Sequence, residues 1–193
     1  MRPDRREKSQ LQTGFNSALW ISSIVLGFML LTSARPQPAS AGQSIPGEYD
    51  VKAVFLYNIL KFVDWPDKTG RTLDLCILGE DPFGHAFDFI QNKTIGNKKV
   101  VVKHVRTQRQ IGDCQALFIS SSEKEDIEHI LRTAGRFNIL TAGDTEGFSQ
   151  KGVILNFYLE EDKLRFEINV VSLRRSGLSI SSKVLHLARI IEE

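Results

Sequence analysis

Apolar residues occur along the chain in short blocks, and the spacing within each block separates helices from strands. Over residues 48–63 they fall at Val51, Val54, Phe55, Ile59, Phe62 and Val63. Those intervals of three and four predict one core-facing helical stripe, and Pro66 bars its continuation. The compact run LDLCIL at 73–78, stopped by Gly79, predicts a buried strand. Residues 99–105 and ALFI at 116–119 predict two more, with a short helix at 82–90 that turns Phe83, Phe87 and Ile90 to one side. Ser120, Ser121 and Ser122 followed by Glu123, Glu125 and Asp126 read as a helix start, with hydroxyls to cap free amides and acids to complement the dipole. That helix runs to about Thr133 and ends at Gly135. A short strand follows at 138–141.

Residues 153–159 and 163–169 flank Glu160, Glu161 and Asp162 and predict an antiparallel hairpin with a charged tip. In the tail, Val184, Leu187, Ala188 and Ile191 make a helical stripe over 181–191, which predicts an amphipathic helix with Val184, Leu185, Leu187 and Ala188 buried and His186 and Arg189 more exposed. Strands separated by helices, then a hairpin, then a helix, predict an α/β fold. It is a single mixed sheet with parallel early strands and a late antiparallel hairpin, flanked by helices.

The amino terminus follows another pattern. Arg2, Arg5, Arg6 and Lys8 precede fourteen residues without a charge, ALWISSIVLGFMLL at 18–31, and then Ala39-Ser40-Ala41. Basic, apolar, small-residue order is that of a secretory signal. Fourteen residues rise about 21 Å as a helix, short of a hydrocarbon core of roughly 30 Å, which argues against an uncleaved anchor. Residues 1–41 are therefore expected to be a signal peptide cleaved after Ala41, with Thr32-Ser33-Ala34 as a second possible site. Residues 42–193 then form one domain in the periplasm.

Removal of that segment changes the charge. It holds Arg2, Arg5, Arg6, Lys8 and Arg35 against Asp4 and Glu7, so the whole chain's +2 becomes −1 for residues 42–193. Nothing in that balance favours nucleic acid as a partner. Export also changes the meaning of the two cysteines, Cys76 and Cys114. In an oxidising compartment they point to one structural disulfide, the alternative being two free thiols. Their separation excludes a CxxC redox motif.

Catalytic motifs are absent. The sequence has no phosphate loop, GxGxxG, HExxH or GxSxG. His85, His104, His129 and His186 are scattered without a pair at helical spacing, so no metal site, cofactor or catalytic residue is expected. The densest aromatic block is YNILKFVDWP at 57–66. Phe62 is expected in the core. Tyr57 and Trp65, aromatic rings with a polar handle, are candidate partner-binding residues, or else they close the helix against the sheet.

That block, with LDLCILG, CQALFIS, NILTAGD followed by Gly147-Phe148, and LRFEINVVSLRRSGLSISSKVLHLAR, resembles the periplasmic YfiR family from about Val51 to Arg189. The resemblance implies a non-enzymatic repressor that acts on the periplasmic region of an inner-membrane diguanylate cyclase, lowering cyclic di-GMP and biofilm formation. It also implies sequestration by an outer-envelope lipoprotein in some systems, a homodimer, and a bridge between Cys76 and Cys114. A repressor needs only unequal affinity for two states of its receptor, so no reactive group is required. The alternative is a periplasmic small-ligand-binding module with a cleft beside the strand ends.

Overall fold

The computed structural model describes residues 47–65 and 70–192. The expected signal segment and Pro66 lie outside them. The chain starts with helix α1 (Glu48–Leu60), entered from Gly47 in the left-handed region at φ 82°, with Glu48 and Asp50 in its first turn to complement the dipole. A two-residue strand β1 (Val63–Asp64) follows, then β2 (Thr72–Leu78), β3 (Thr94–Ile95), β4 (Lys98–Val105) and β5 (Ala116–Ile119). Helix α2 (Ile127–Ala134), strand β6 (Leu140–Gly143), the one-turn helix α3 (Phe148–Lys151) and the hairpin β7 (Leu155–Glu160) and β8 (Lys163–Asn169) come next. The chain closes with α4 (Val170–Arg175), β9 (Ser179–Ile180), α5 (Ser182–Leu185) and β10 (Arg189–Ile191).

The main sheet has eight strands in the order β10-β8-β7-β6-β5-β2-β4-β3. Strands β4, β2, β5, β6 and β7 run parallel, whereas β7–β8 and β3–β4 are antiparallel. The expected mixed sheet is therefore present, with its hairpin. Glu161 and Asp162, at φ 51° and 58°, form the two-residue turn that matches the twist of paired strands. Order reverses at β2 and β5, the position where open α/β sheets commonly form a crevice.

Strand alternation divides the core between the two faces of the sheet. Leu73, Leu75 and Ile77 of β2 join Phe118 of β5 beneath α1. Cys76 and Leu78 join Leu117 and Ile119 beneath α2 on the other face. Phe118 meets Phe83 edge-on at 4.7 Å between ring centres. Phe83 stacks on Phe87 at 4.0 Å and meets Tyr49 of α1 at 5.2 Å. This aromatic stack fixes α1 on the sheet together with Leu56 and Leu60, each fully buried and each contributing roughly 1.5–3 kcal/mol through burial.

Four expectations are corrected. The core side of α1 is Lys52, Ala53, Leu56, Ile59 and Leu60, whereas Val51, Val54 and Phe62 of the predicted stripe are 46%, 42% and 44% exposed. The helix is apolar on both arcs, so its spacing alone does not choose the buried one. The helix expected at 82–90 is a single 3-10 turn (Gly84–Phe87), although Phe83, Phe87 and Ile90 are buried as their spacing implies. Likewise a 3-10 segment (Ser121–Asp126) precedes α2.

The largest departure is the tail. The helix ends after one turn at Leu185, and Arg189, Ile190 and Ile191 pair in parallel with Glu167, Ile168 and Asn169 of β8. Strand pairing outcompetes the local helical period there. Leu187 is consequently 76% exposed rather than buried. Val184 is buried, Leu185 and Ala188 are half-buried, and His186 and Arg189 are exposed.

Candidate functional surface

Because α1 buries one apolar arc and leaves the other in solvent, it presents a surface that a self-contained domain has no need to keep apolar. Val51, Val54 and Phe62 lie on it, with Phe55 half-buried between them. Tyr57 sits beside this stripe, one turn beyond Val54. Its ring meets Phe89 edge-on at 6.1 Å, and Phe89 is itself 37% exposed. Two ammonium groups border the patch. Lys61 lies 5.2 Å from the centre of the Tyr57 ring, and Lys93 lies 5.9 Å from Tyr57 and 5.4 Å from Phe89. The result is an apolar ridge with a cationic edge, suited to a partner surface that is apolar at its centre and acidic at its rim.

Tyr57 and Trp65 are both half-buried against the core, Tyr57 at the edge of this surface and Trp65 at the helix exit. Trp65 packs against the core, and its indole Nε1 donates to the Leu60 carbonyl at 2.9 Å. That bond satisfies one of the free carbonyls at the end of α1. Next to it, β1 pairs Val63 with Ile180 and Asp64 with Ser179 of β9, so the helix exit is tied to the carboxyl-terminal segment. Cys76 and Cys114 form a disulfide with Cα atoms 5.9 Å apart, joining the middle of β2 to the segment that enters β5. The aromatic density of 57–66 singled out Tyr57 and Trp65, but neither Phe89 nor the exposure of Val51, Val54 and Phe62. The available signal was a helix with apolar residues on both arcs, Val51 and Val54 standing beside exposed Asp50 and Asn58 on the outer one.

A buried polar latch holds α1 in this orientation. Lys52 Nζ lies 2.7 Å from Asp144 Oδ2 and 2.5 Å from Glu48 Oε1, with all three side chains nearly sealed from solvent. The Tyr49 hydroxyl donates to the same Asp144 oxygen at 2.9 Å. Asp144 directly follows β6, so the latch pins the start of α1 to the carboxyl end of a central strand. Burial pushes the Tyr49 hydroxyl well above the ordinary tyrosine range, reinforced by the charge of Asp144, its hydrogen bond and the charge of Glu48.

A raised folded-state value stabilises the fold below the ordinary tyrosine value of about 10 and is lost as pH rises above it, where the unfolded chain ionises first. Stability is therefore expected to fall from about pH 10 upward, and to keep falling through the alkaline range as long as the folded-state hydroxyl stays protonated. Tyr49→Phe is expected to flatten the fall. Urea midpoints of the two proteins across that range check it, and identical slopes would contradict it.

At the strand-order reversal, the β2 and β5 ends abut. The Glu80 amide donates to the Ser122 hydroxyl at 3.0 Å, and a Cβ at Gly79 would overlap that hydroxyl. Gly79 also holds φ 90°, so two requirements select glycine there. Among the described residues, no group of three or more His, Cys, Asp or Glu is placed to hold a metal ion. No helix among them is long and apolar enough to cross a membrane.

A family model described as YfiR/HmsC-like matches residues 49–189. Solved structures similar in fold include a conserved domain protein from Vibrio cholerae O1 biovar El Tor strain N16961, at 12% identity and TM-score 0.48, covering 74% of this chain and 59% of that one. Another is the ABC domain in complex with L-Trp from Streptococcus pneumoniae, at 10% identity and TM-score 0.48, covering 69% of this chain and 60% of that one. The chain thus spans about three fifths of the length of these two structures.

Proposed function

Since this chain belongs to the YfiR/HmsC-like family, we propose that it is an exported, non-enzymatic regulator that holds an inner-membrane diguanylate cyclase inactive through the cyclase's periplasmic region. The observation that carries this reading is the family match, which takes in α1, the sheet and nearly all of the tail. Repression lowers cyclic di-GMP inside the cell and, with it, biofilm formation.

The outward arc of α1 supports the reading. Val51, Val54 and Phe62 supply apolar anchors, and Lys61 and Lys93 supply a rim that favours an acidic border on the receptor. The latch through Lys52 and Asp144 keeps that arc oriented, so little ordering cost falls on binding. Inhibition then requires only that the surface prefer the receptor's inactive state. A tenfold preference corresponds to about 1.4 kcal/mol. An outer-envelope lipoprotein and a second copy of the chain are the competing occupants of this arc.

Deletion of the gene is expected to raise cyclic di-GMP and surface attachment in cells that carry the cyclase, and to change neither in cells that lack it. Unchanged cyclic di-GMP, with the cyclase demonstrably expressed, would remove the repressor reading.

A further inference from the structure

A cavity of about 410 Å³ opens between α2 and α4. It exists because β6 and β7 pair over only two positions, Ala142 with Leu155 and Gly143 with Asn156, and separate below them. At the point of separation the Thr141 hydroxyl accepts the Ile154 amide at 3.0 Å, which leaves that amide satisfied without a strand neighbour. Gly152 keeps the mouth open. Its φ of 111° suits glycine, and a Cβ there would crowd the Ser172 hydroxyl at 3.3 Å.

The lining combines two chemistries. Leu131, Ile139 and Ile154 form an apolar floor. Arg132, Lys151 and Arg175 bring three cations from three different helices. Glu128 is the acidic residue of the lining and lies 3.9 Å from Arg132. Lys151 and Arg175 form no ion pair with any described residue. The remaining hydroxyls differ in their availability. Thr141 is engaged as described, and Ser176 donates to the Leu173 carbonyl and accepts the Leu178 amide. Among the described residues no partner engages the Ser172 hydroxyl, and the Thr141 hydroxyl, which accepts from Ile154, still has its proton to donate.

Each cation stands in the last turn of its helix, so part of its charge offsets the dipole. A helix end carries roughly half a charge at most, and these helices are short. Three such ends offset less than the net charge of three cations and one carboxylate, and the mouth stays positive.

We propose that this cavity is a binding site for a small organic anion. Its apolar body rests on Leu131, Ile139 and Ile154, and its anionic head is held by Lys151, Arg175 and the Ser172 hydroxyl. The inference is independent of the repressor reading, since no residue of α1 lines the cavity.

Two probes that share a ring system test it: 8-anilinonaphthalene-1-sulfonate, which carries an anionic head, and N-phenyl-1-naphthylamine, which carries none. The full protein is expected to bind the sulfonate saturably, with amide shifts in nitrogen-15 spectra centred on Gly152, Ile154 and Ser172. The double variant Lys151→Gln/Arg175→Gln, both changes at exposed positions, is expected to keep its melting temperature, lose at least about tenfold in sulfonate affinity and bind the neutral probe as before. Ser172→Phe, which fills the mouth, is expected to weaken both probes. Equal sulfonate affinity in the wild type and the double variant, shifts confined to the outward arc of α1, or no saturable binding at millimolar probe would each overturn the proposal.

Discussion

Replacing both Cys76 and Cys114 by alanine is expected to lower the stability of the folded protein by about 3–4 kcal/mol. The two cysteines stand 38 residues apart in sequence, and their bond closes a loop that contains β3, β4 and the crossover between β4 and β5. In the chain-entropy account, a loop of that length removes a large share of the unfolded chain's freedom. Both residues are also buried, on the α2 side of the sheet, so alanine adds a small packing loss. The measurement is the urea midpoint of the double variant against wild type, each with and without reductant. Wild type should fall to the level of the variant when reduced, and the variant should not respond. Equal midpoints for oxidised wild type and variant would contradict the account.

Asp144→Ala is expected to cost about 1–3 kcal/mol, because it removes one of the two carboxylates that pair Lys52 in a nearly sealed site. Lys52 would keep Glu48 as a partner, but the Tyr49 hydroxyl would lose its acceptor as well. Asp144→Asn keeps an acceptor in place and should cost less than alanine. Hydrogen exchange gives the location of the damage. Protection should drop first in α1, whose amino-terminal turn the latch holds, and later in β2 and β5. A loss under half a kcal/mol for Asp144→Ala, or uniform loss of protection, would show that the aromatic stack around Phe83 holds α1 without the latch.

Legibility in the sequence followed how local each cause was. β5 and β8 match the predicted spans, and β2 and β4 extend them by one residue, because compact apolar runs between turn residues have no competing reading. The hairpin was legible because two apolar runs around a short charged tip are a local signal, although Glu160 belongs to β7 and the turn is Glu161 and Asp162 alone. The face of α1 was not, since Val51 and Val54 satisfy the helical period as well as Ala53 and Leu56 do. Choosing between them takes the sheet and the buried Lys52–Asp144 pair, whose members lie 92 residues apart. The tail failed for a related reason. No glycine or proline interrupts residues 182–191, and only the pairing of Arg189–Ile191 with β8 ends the helix at Leu185. Tyr57 was legible as an aromatic suited to a half-wet site, but its neighbour Phe89 comes from a distant loop. The cavity was invisible in the sequence, because its three cations come from three separate helices.

The central claim is tested most directly with the full-length cyclase reconstituted in nanodiscs, with cyclic di-GMP production measured as purified protein is added. Wild-type protein is predicted to suppress turnover saturably. Val54→Asp, which places a carboxylate in the outward arc of α1 without touching the core, is predicted to fold normally and to suppress turnover at least about tenfold less effectively. Unchanged turnover at saturating wild-type protein would contradict repression. Equal suppression by Val54→Asp would move the interface away from α1.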